Sequence, residues 1–269
     1  MPLCWNKTLL TIGNGYATMN NATQTDSINE RSYMRELYYG NYYGSAWHLL
    51  RMLGYHREYL KQKIISQLEL KDIEWLDFDF KGKRGKDFEL TGLDFLQNGN
   101  DNEKNAFEAW SDFWPQQGTP HTWDAIGKLI MPDGGEEWLL VEAKAHIDEL
   151  KTDCGASAMQ SINTISKALA ETGEALNINY AGNWFKEYYQ YANRLAVLHF
   201  LNKHNIPARL LLIYFTGDKR PDSYFSNCPE DEDGWTKSLL KQDDHLGLTN
   251  CAGGLTKRIY KVFVDVNGR

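Results

Sequence analysis

Three residues of this 269-residue chain have the types and spacing that chemistry on a phosphate requires: Asp124, Glu142 and Lys144. They lie in His121–Leu150, HTWDAIGKLIMPDGGEEWLLVEAKAHIDEL. There, two runs of strand-forming residues, Trp123–Met131 and Glu137–Ala145, flank Pro132-Asp133-Gly134-Gly135. A Pro-Asp-Gly-Gly stretch between two such runs is a turn signal, so the segment reads as a β-hairpin. Asp124 stands near the start of the first strand and Glu142 near the end of the second, and antiparallel pairing sets them opposite. Side chains alternate faces along a strand, so Glu142 and Lys144 share one face while Val141, Ala143 and Ala145 take the other. One end of the hairpin then carries two carboxylates and an ammonium. Close carboxylates repel, and a hard divalent cation between their oxygens relieves them. Mg²⁺ (or Mn²⁺) keeps several waters and eases their ionisation, with the Ala143 backbone carbonyl as the expected third ligand. A neighbouring lysine can stabilise charge growing on a phosphate. Such a set is equipped to hydrolyse a phosphodiester. The run Val-Glu-Ala-Lys-Ala also buries a charged pair among apolar residues, where charges are rarely idle.

Asp124, followed after a short hairpin by Glu142-Ala143-Lys144, resembles the Asp…(Asp/Glu)-x-Lys signature of the PD-(D/E)xK, or restriction-endonuclease-like, nuclease superfamily. The resemblance covers the hairpin and, more loosely, Phe107–Thr216. It departs from the signature at Trp123, which stands where the pattern has proline. It implies an α/β fold, a restriction-endonuclease-like mixed β-sheet flanked by helices. It also implies a Mg²⁺- or Mn²⁺-dependent nuclease whose partner is a nucleic acid, DNA or RNA.

The elements around the hairpin extend this reading. Asn102–Trp114 has helical periodicity, with Phe107, Trp110, Phe113 and Trp114 on its apolar side, and stops at Pro115. Glu108 lies near its middle, and in the superfamily a glutamate on a helix before the Asp strand often joins the metal site. Only Pro115–Pro120 separates this helix from the hairpin, too little for the extra strand usually found there; either that strand is missing or the first helix of the core lies upstream, with Glu58. Beyond the hairpin, Ala156–Leu176 reads as a helix resembling an insertion, and Trp184–His204 as a longer one. Gln190, Asn193 and Arg194 are spaced i, i+3, i+4 and share a face, which by default is a solvated one. Arg209–Thr216, RLLLIYFT, has the continuous apolar pattern of a buried central strand. Hairpin, helix and buried strand in this order match the superfamily core. Gln190 then matches a glutamine that in several branches points into the active site, and Arg194 is suited to hold a phosphate bidentately. Trp235–Gln242 reads as a short helix and Arg258–Val266 as a final, edge-type strand.

Upstream, residues 31–69 read as two or three short helices with Arg51, Arg57, Lys61 and Lys63 among apolar and aromatic residues. Lys81-Gly82-Lys83-Arg84-Gly85-Lys86 is a basic loop between two alternating runs, Trp75–Phe80 and Asp87–Leu90, and Lys83 and Arg84 are candidate phosphate contacts. This gives a mostly helical or irregular N-terminal extension with a small β-hairpin over residues 1–100, and a nuclease-like core over 101–269. His146, two residues past Lys144, either supports the site or bonds locally. Gly13-Asn14-Gly15 is too short for a phosphate loop, and neither a G-x-S-x-G nor an HExxH pattern occurs.

No run of 18 apolar residues exists and the N-terminus lacks a signal-peptide pattern, so the expected partner is not a membrane and the expected place is the cytoplasm. Cys4, Cys154, Cys228 and Cys251 have no CxxC spacing and read as independent reduced thiols. The net charge of −7 works against a tight grip on duplex DNA. Residues 1–100 hold 12 basic and 12 acidic side chains, so the whole excess lies in residues 101–269, part of it in Glu230-Asp231-Glu232-Asp233. The acidity favours a second reading, a non-catalytic nucleic-acid- or protein-binding protein that retains the fold. A third is an enzyme for a smaller phosphate or nucleotide substrate. The presence of all three chemically useful groups favours a metal-dependent nuclease.

Overall fold

The computed structural model describes residues 43–76, 90–118, 121–178, 183–219, 228–249, 251 and 254–268. In chain order the main elements are helices α1 (Ser45–Tyr55) and α2 (Arg57–Leu68), strands β1 (Asp72–Trp75) and β2 (Leu90–Thr91), and helix α3 (Asp101–Phe113). Strands β3 (Thr122–Trp123), β4 (Ala125–Ile130) and β5 (Glu136–Lys144) follow, then helices α4 (Met159–Ala175) and α5 (Tyr189–Lys203). The chain closes with β6 (Ala208–Thr216), α6 (Glu232–His245) and β7 (Ile259–Asp265). The fold is α/β, and among the described residues no helix is long and apolar enough to cross a membrane.

Five strands form one mixed sheet in the order β1-β4-β5-β6-β7. Strand β4 runs antiparallel to both β1 and β5, whereas β6 is parallel to both β5 and β7. The hairpin turns where its sequence demands. Gly134 takes φ 87°, which favours glycine, and the Gly135 N–H is accepted by the Asp133 side chain at 3.0 Å. The apolar run of β6 is buried on both faces, as an interior parallel strand requires. Strand β7 lies at the sheet edge.

Alternation along β5 divides the core in two. Leu139, Val141, Ala143 and Ala145 face one layer with Leu49 and Met52 of α1 and Leu60 and Ile64 of α2. Trp138 and Leu140 face the other, with Trp110 of α3, Leu169 of α4, Leu195 of α5 and Leu239 of α6. Burying both faces of the central strands is the largest favourable contribution to such a fold.

The division expected at residue 100 falls inside this architecture, because residues 41–269 form one compact unit. Strand β1 pairs with β4, from Asp72 opposite Ile130 to Trp75 opposite Gly127, and α1 and α2 cover one sheet face. Gly127 permits the close approach, since a Cβ there would stand 3.1 Å from the Glu74 carbonyl oxygen. Leu90 pairs with Trp123 in a separate two-stranded sheet. Residues 77–89, with most of the expected basic hairpin, lie outside the described residues, as does Gly13-Asn14-Gly15.

Helix α3 begins at a capping box, in which the Asn100 side chain accepts from the Glu103 N–H and the Glu103 side chain accepts from the Asn100 N–H. The acidic cluster before α6 is used in the same way: Asp231 caps the helix, and Glu232 and Asp233 sit in its first turn, where the helix dipole favours negative charge. Helix α5 is buried on nearly every side, from Tyr191 to Leu198, because it is packed between the sheet and helices α3 and α4. Asn193 and Arg194 on this stretch are therefore buried, whereas Lys203 near the end of the helix is about half exposed.

Candidate active site

Asp124 sits where one strand leaves the small sheet and joins the large one. Trp123 pairs with Leu90 of β2, while Ala125 pairs with Val141 of β5. At the break, the Asp124 side chain takes over the ladder: its Oδ2 accepts the Ala143 N–H at 2.7 Å. A residue's N–H and C=O point to the same side of a strand, so the Ala143 carbonyl lies on the Asp124 side of β5.

Glu142 is buried, with both carboxylate oxygens paired. Lys144 Nζ donates to Oε1 at 2.5 Å, and Arg194 Nε donates to Oε2 at 2.8 Å. Lys144 also donates to Gln190 Oε1 at 2.9 Å. Gln190 is the second residue of α5, where backbone N–H groups have no intrahelical acceptor. The Thr152 hydroxyl accepts that N–H at 2.7 Å and fixes the start of the helix to the segment after β5.

Arg194, one turn along α5, is buried rather than open to a phosphate. Besides Glu142, it donates to the Thr122 carbonyl at 2.7 Å and to Asn193 Oδ1 at 3.1 Å, and its guanidinium lies 4.5 Å from the centre of the Trp123 ring. The expectation that it clamps substrate is corrected: its donors are engaged inside the protein, and its role is to orient Glu142. The same contact accounts for Trp123 in the position that the resembled pattern gives to proline, since an indole face under a desolvated guanidinium is favourable.

The charges shift one another. Burial, and next the Glu142 charge, push the Asp124 carboxyl up to about 8, against the opposing pull of Lys144, the Ala143 N–H and Arg194. Burial alone would raise Glu142 as well, but Lys144 and Arg194 prevail and hold it below the ordinary value. Burial disfavours a charged Lys144, yet Glu142, Asp124 and Glu149 outweigh it and raise its pKa. At neutral pH the cluster is thus a protonated Asp124, an ionised Glu142 and a charged Lys144. One carboxyl is neutral where a second negative charge is not tolerated, and added positive charge would ionise it.

The remaining candidates are elsewhere. Glu108 is exposed on the outer side of α3 and takes no part in this cluster; the buried glutamate of that helix is Glu103, which accepts from Trp138 Nε1 at 2.8 Å. The expectation for Glu108 fails because the apolar stripe of α3 turns it to solvent. Glu58, on the helix that precedes β1, is also exposed and bonds Gln62. His146 bonds the Tyr43 hydroxyl at 2.8 Å and Glu149 at 3.1 Å. Lys83 and Arg84 lie outside the described residues. Sequence reasoning missed the Trp123–Arg194 stack and the Thr152 anchor, and no spacing signal points to either.

Among the described residues, no three His, Cys, Asp or Glu side chains gather to hold a metal ion. The set expected here is different: two carboxylates and a backbone carbonyl. These are hard oxygen donors of the kind Mg²⁺ takes while keeping water. They fit such a cation, since its charge would offset the burial and the Glu142 repulsion that keep Asp124 protonated. The Glu142 carboxylate would be shared among the cation, Lys144 and Arg194. No protein-family model, curated protein or solved structure matches the chain.

Proposed function

We propose that the protein is a metal-dependent phosphodiesterase of the restriction-endonuclease-like type, acting on DNA or RNA. The observation that carries this reading is the Lys144 ammonium, held at once by Glu142 and by Gln190 beside Asp124. The order of elements supports it: α2, β1, the β4–β5 hairpin, α5, then β6 parallel to β5. On this reading β1 would be the strand that the short Pro115–Pro120 link leaves no room for, and α2 the helix before it.

Asp124, Glu142 and the Ala143 carbonyl would hold the cation. When bound, such an ion supplies Lewis-acid polarisation of a phosphoryl oxygen and a more acidic water. Lys144 keeps its proton, so it serves as fixed positive charge rather than as a base, and it stabilises negative charge growing on the phosphate. Gln190 and Glu142 set the position of that ammonium, and Arg194 orients Glu142 from behind. The absence of solvent around Glu142 and Arg194 strengthens each of these interactions.

The closed pairing of Glu142 with Lys144 and Arg194 favours a second reading, a nucleic-acid- or protein-binding protein that retains this network without turnover. Purified protein incubated with single-stranded DNA, duplex DNA and RNA, in Mg²⁺, in Mn²⁺ and in chelator, separates the two. Cleavage that needs metal and disappears in Asp124→Ala and Glu142→Ala supports the phosphodiesterase. Metal binding with no cleavage favours the second reading, and cleavage that persists in Asp124→Ala overturns the site.

A further inference from the structure

Beside the Lys144 cluster opens a cleft of about 470 Å³, and Gln190 and Arg194 belong to both. We infer that this cleft receives one unpaired nucleobase next to the reacting phosphate, so that the substrate is a single strand or a frayed end rather than an intact duplex. The inference rests on the phosphodiesterase reading and names the substrate of that site.

The volume falls within the roughly 300–1,000 Å³ of small-molecule sites. Trp114, Tyr189 and Ile165 give the cleft apolar and aromatic walls, and Asn193 and His121 give it polar ones. Room comes from Gly155-Ala156-Ser157-Ala158 and from Ser161 on the first turn of α4, where no large side chain intrudes. Planar heteroaromatic rings are recognised by this combination of ring faces for stacking and polar groups for their edges.

His121 supplies the second observation. Among the described residues, neither of its ring nitrogens has a hydrogen-bond partner, although both are shielded from solvent. Buried polar groups are rarely left so, because an unmade hydrogen bond is costly. Its ring is held edge-on to Trp114, with centroids 4.8 Å apart. Burial, then the Arg194 charge, push its pKa down to about 3, so the imidazole is neutral, with one donor and one acceptor nitrogen. The two nitrogens point in divergent directions, so one nucleobase edge would satisfy one of them.

A base stacked within a duplex cannot enter such a cleft without being extruded, which an unpaired strand avoids. The charge balance agrees. A protein of net charge −7 is poorly suited to hold a duplex by its phosphates alone, and stacking is the sequence-tolerant way to hold a single strand.

The test reads binding in chelator, where turnover plays no part. Full-length protein is titrated with 12-nucleotide DNA and RNA single strands carrying a central 2-aminopurine, with the same strands annealed, and with 2-aminopurine riboside monophosphate. The expected result is quenched fluorescence on binding of the single strands, affinity at least ten-fold weaker for the duplex, and a ten-fold or greater loss for the single strands in Ser161→Trp, which fills the cleft. A second measurement needs no variant: strands with a central 4-thiouracil should photo-cross-link to the peptides containing Trp114 or Tyr189. Equal affinity for single strand and duplex, or cross-links only at other peptides, would overturn the inference. So would monophosphate binding as tight as that of the strand. Single-strand binding without metal-dependent cleavage leaves the pocket standing and removes the phosphodiesterase reading; cleavage that is indifferent to strandedness and to Ser161→Trp does the reverse.

Discussion

Asp124 Oδ2 accepts the Ala143 backbone N–H at 2.7 Å, at the point where the β4–β5 ladder would otherwise lose a bond. The same carboxyl therefore completes the sheet and stands beside Glu142. This dual position explains why Asp124 is both buried and strongly shifted, and it makes the residue sensitive to pH in a way that can be measured.

In the folded, metal-free protein the Asp124 carboxyl keeps its proton up to about pH 8, against an ordinary value of 3.8. Between those limits the folded state binds a proton that the unfolded state does not, so its contribution favours folding at low pH and fades as pH rises toward 8. Asp124→Asn, whose amide oxygen can still accept from Ala143, removes that dependence. Denaturant unfolding in chelator between pH 5 and 8.5 should show wild type losing stability relative to Asp124→Asn as pH rises. A parallel course for the two proteins contradicts the shifted carboxyl. Added Mg²⁺ should stabilise wild type most at the alkaline end, because binding releases the proton.

Arg194 and Glu142 form a buried pair at 2.8 Å with side chains about 4–5% exposed. Arg194→Leu leaves Glu142 with Lys144 alone and the Thr122 carbonyl without its donor. Breaking a buried pair from one side costs about 3–5 kcal/mol. The double variant Glu142→Gln/Arg194→Leu should recover part of that loss in urea unfolding. Strict additivity of the two single changes would mean that the pair is not coupled.

The hairpin and the shared face of Glu142 and Lys144 were legible because a period of two leaves no freedom once the turn is located. Strand β6 was legible from its apolar run. Strand β1 was not, since Asp72–Trp75 is four residues long and its partner β4 begins about fifty residues later in sequence. Pairing at that distance leaves no local mark. The spacing of Gln190, Asn193 and Arg194 put them correctly on one face, but spacing cannot tell solvent from core. Only the helices packed outside α5 decide that. Glu108 fails for the converse reason: the apolar stripe of its helix, Phe107, Trp110, Phe113 and Trp114, already turns it outward, and the resemblance alone gave it a metal role.

Because β1 is an edge strand of the sheet and α1 and α2 cover one of its faces, they form part of the fold. Deleting residues 1–76 would bare Leu139, Val141, Leu211, Ile213 and Val262, all at most 1% exposed in the intact protein. The truncated chain should be insoluble or bind a hydrophobic dye such as ANS strongly, with its cooperative melt lost. A soluble 77–269 fragment with a sharp thermal transition would show that residues 101–269 form a core of their own.

The central claim is that Lys144 is a charged group that stabilises the reacting phosphate, in a site whose carboxylates hold a cation. Single-turnover cleavage of a 5′-labelled single-stranded oligonucleotide by wild type and Lys144→Met tests it most directly, with Mg²⁺ binding by each followed by calorimetry. The account predicts that Lys144→Met binds Mg²⁺ within a few-fold of wild type, while the rate of the chemical step falls by about 100-fold or more, as when another transition-state stabiliser is removed. A Lys144→Met protein that cleaves at the wild-type rate, or a wild-type protein whose cleavage is unchanged by removing the metal, would contradict it.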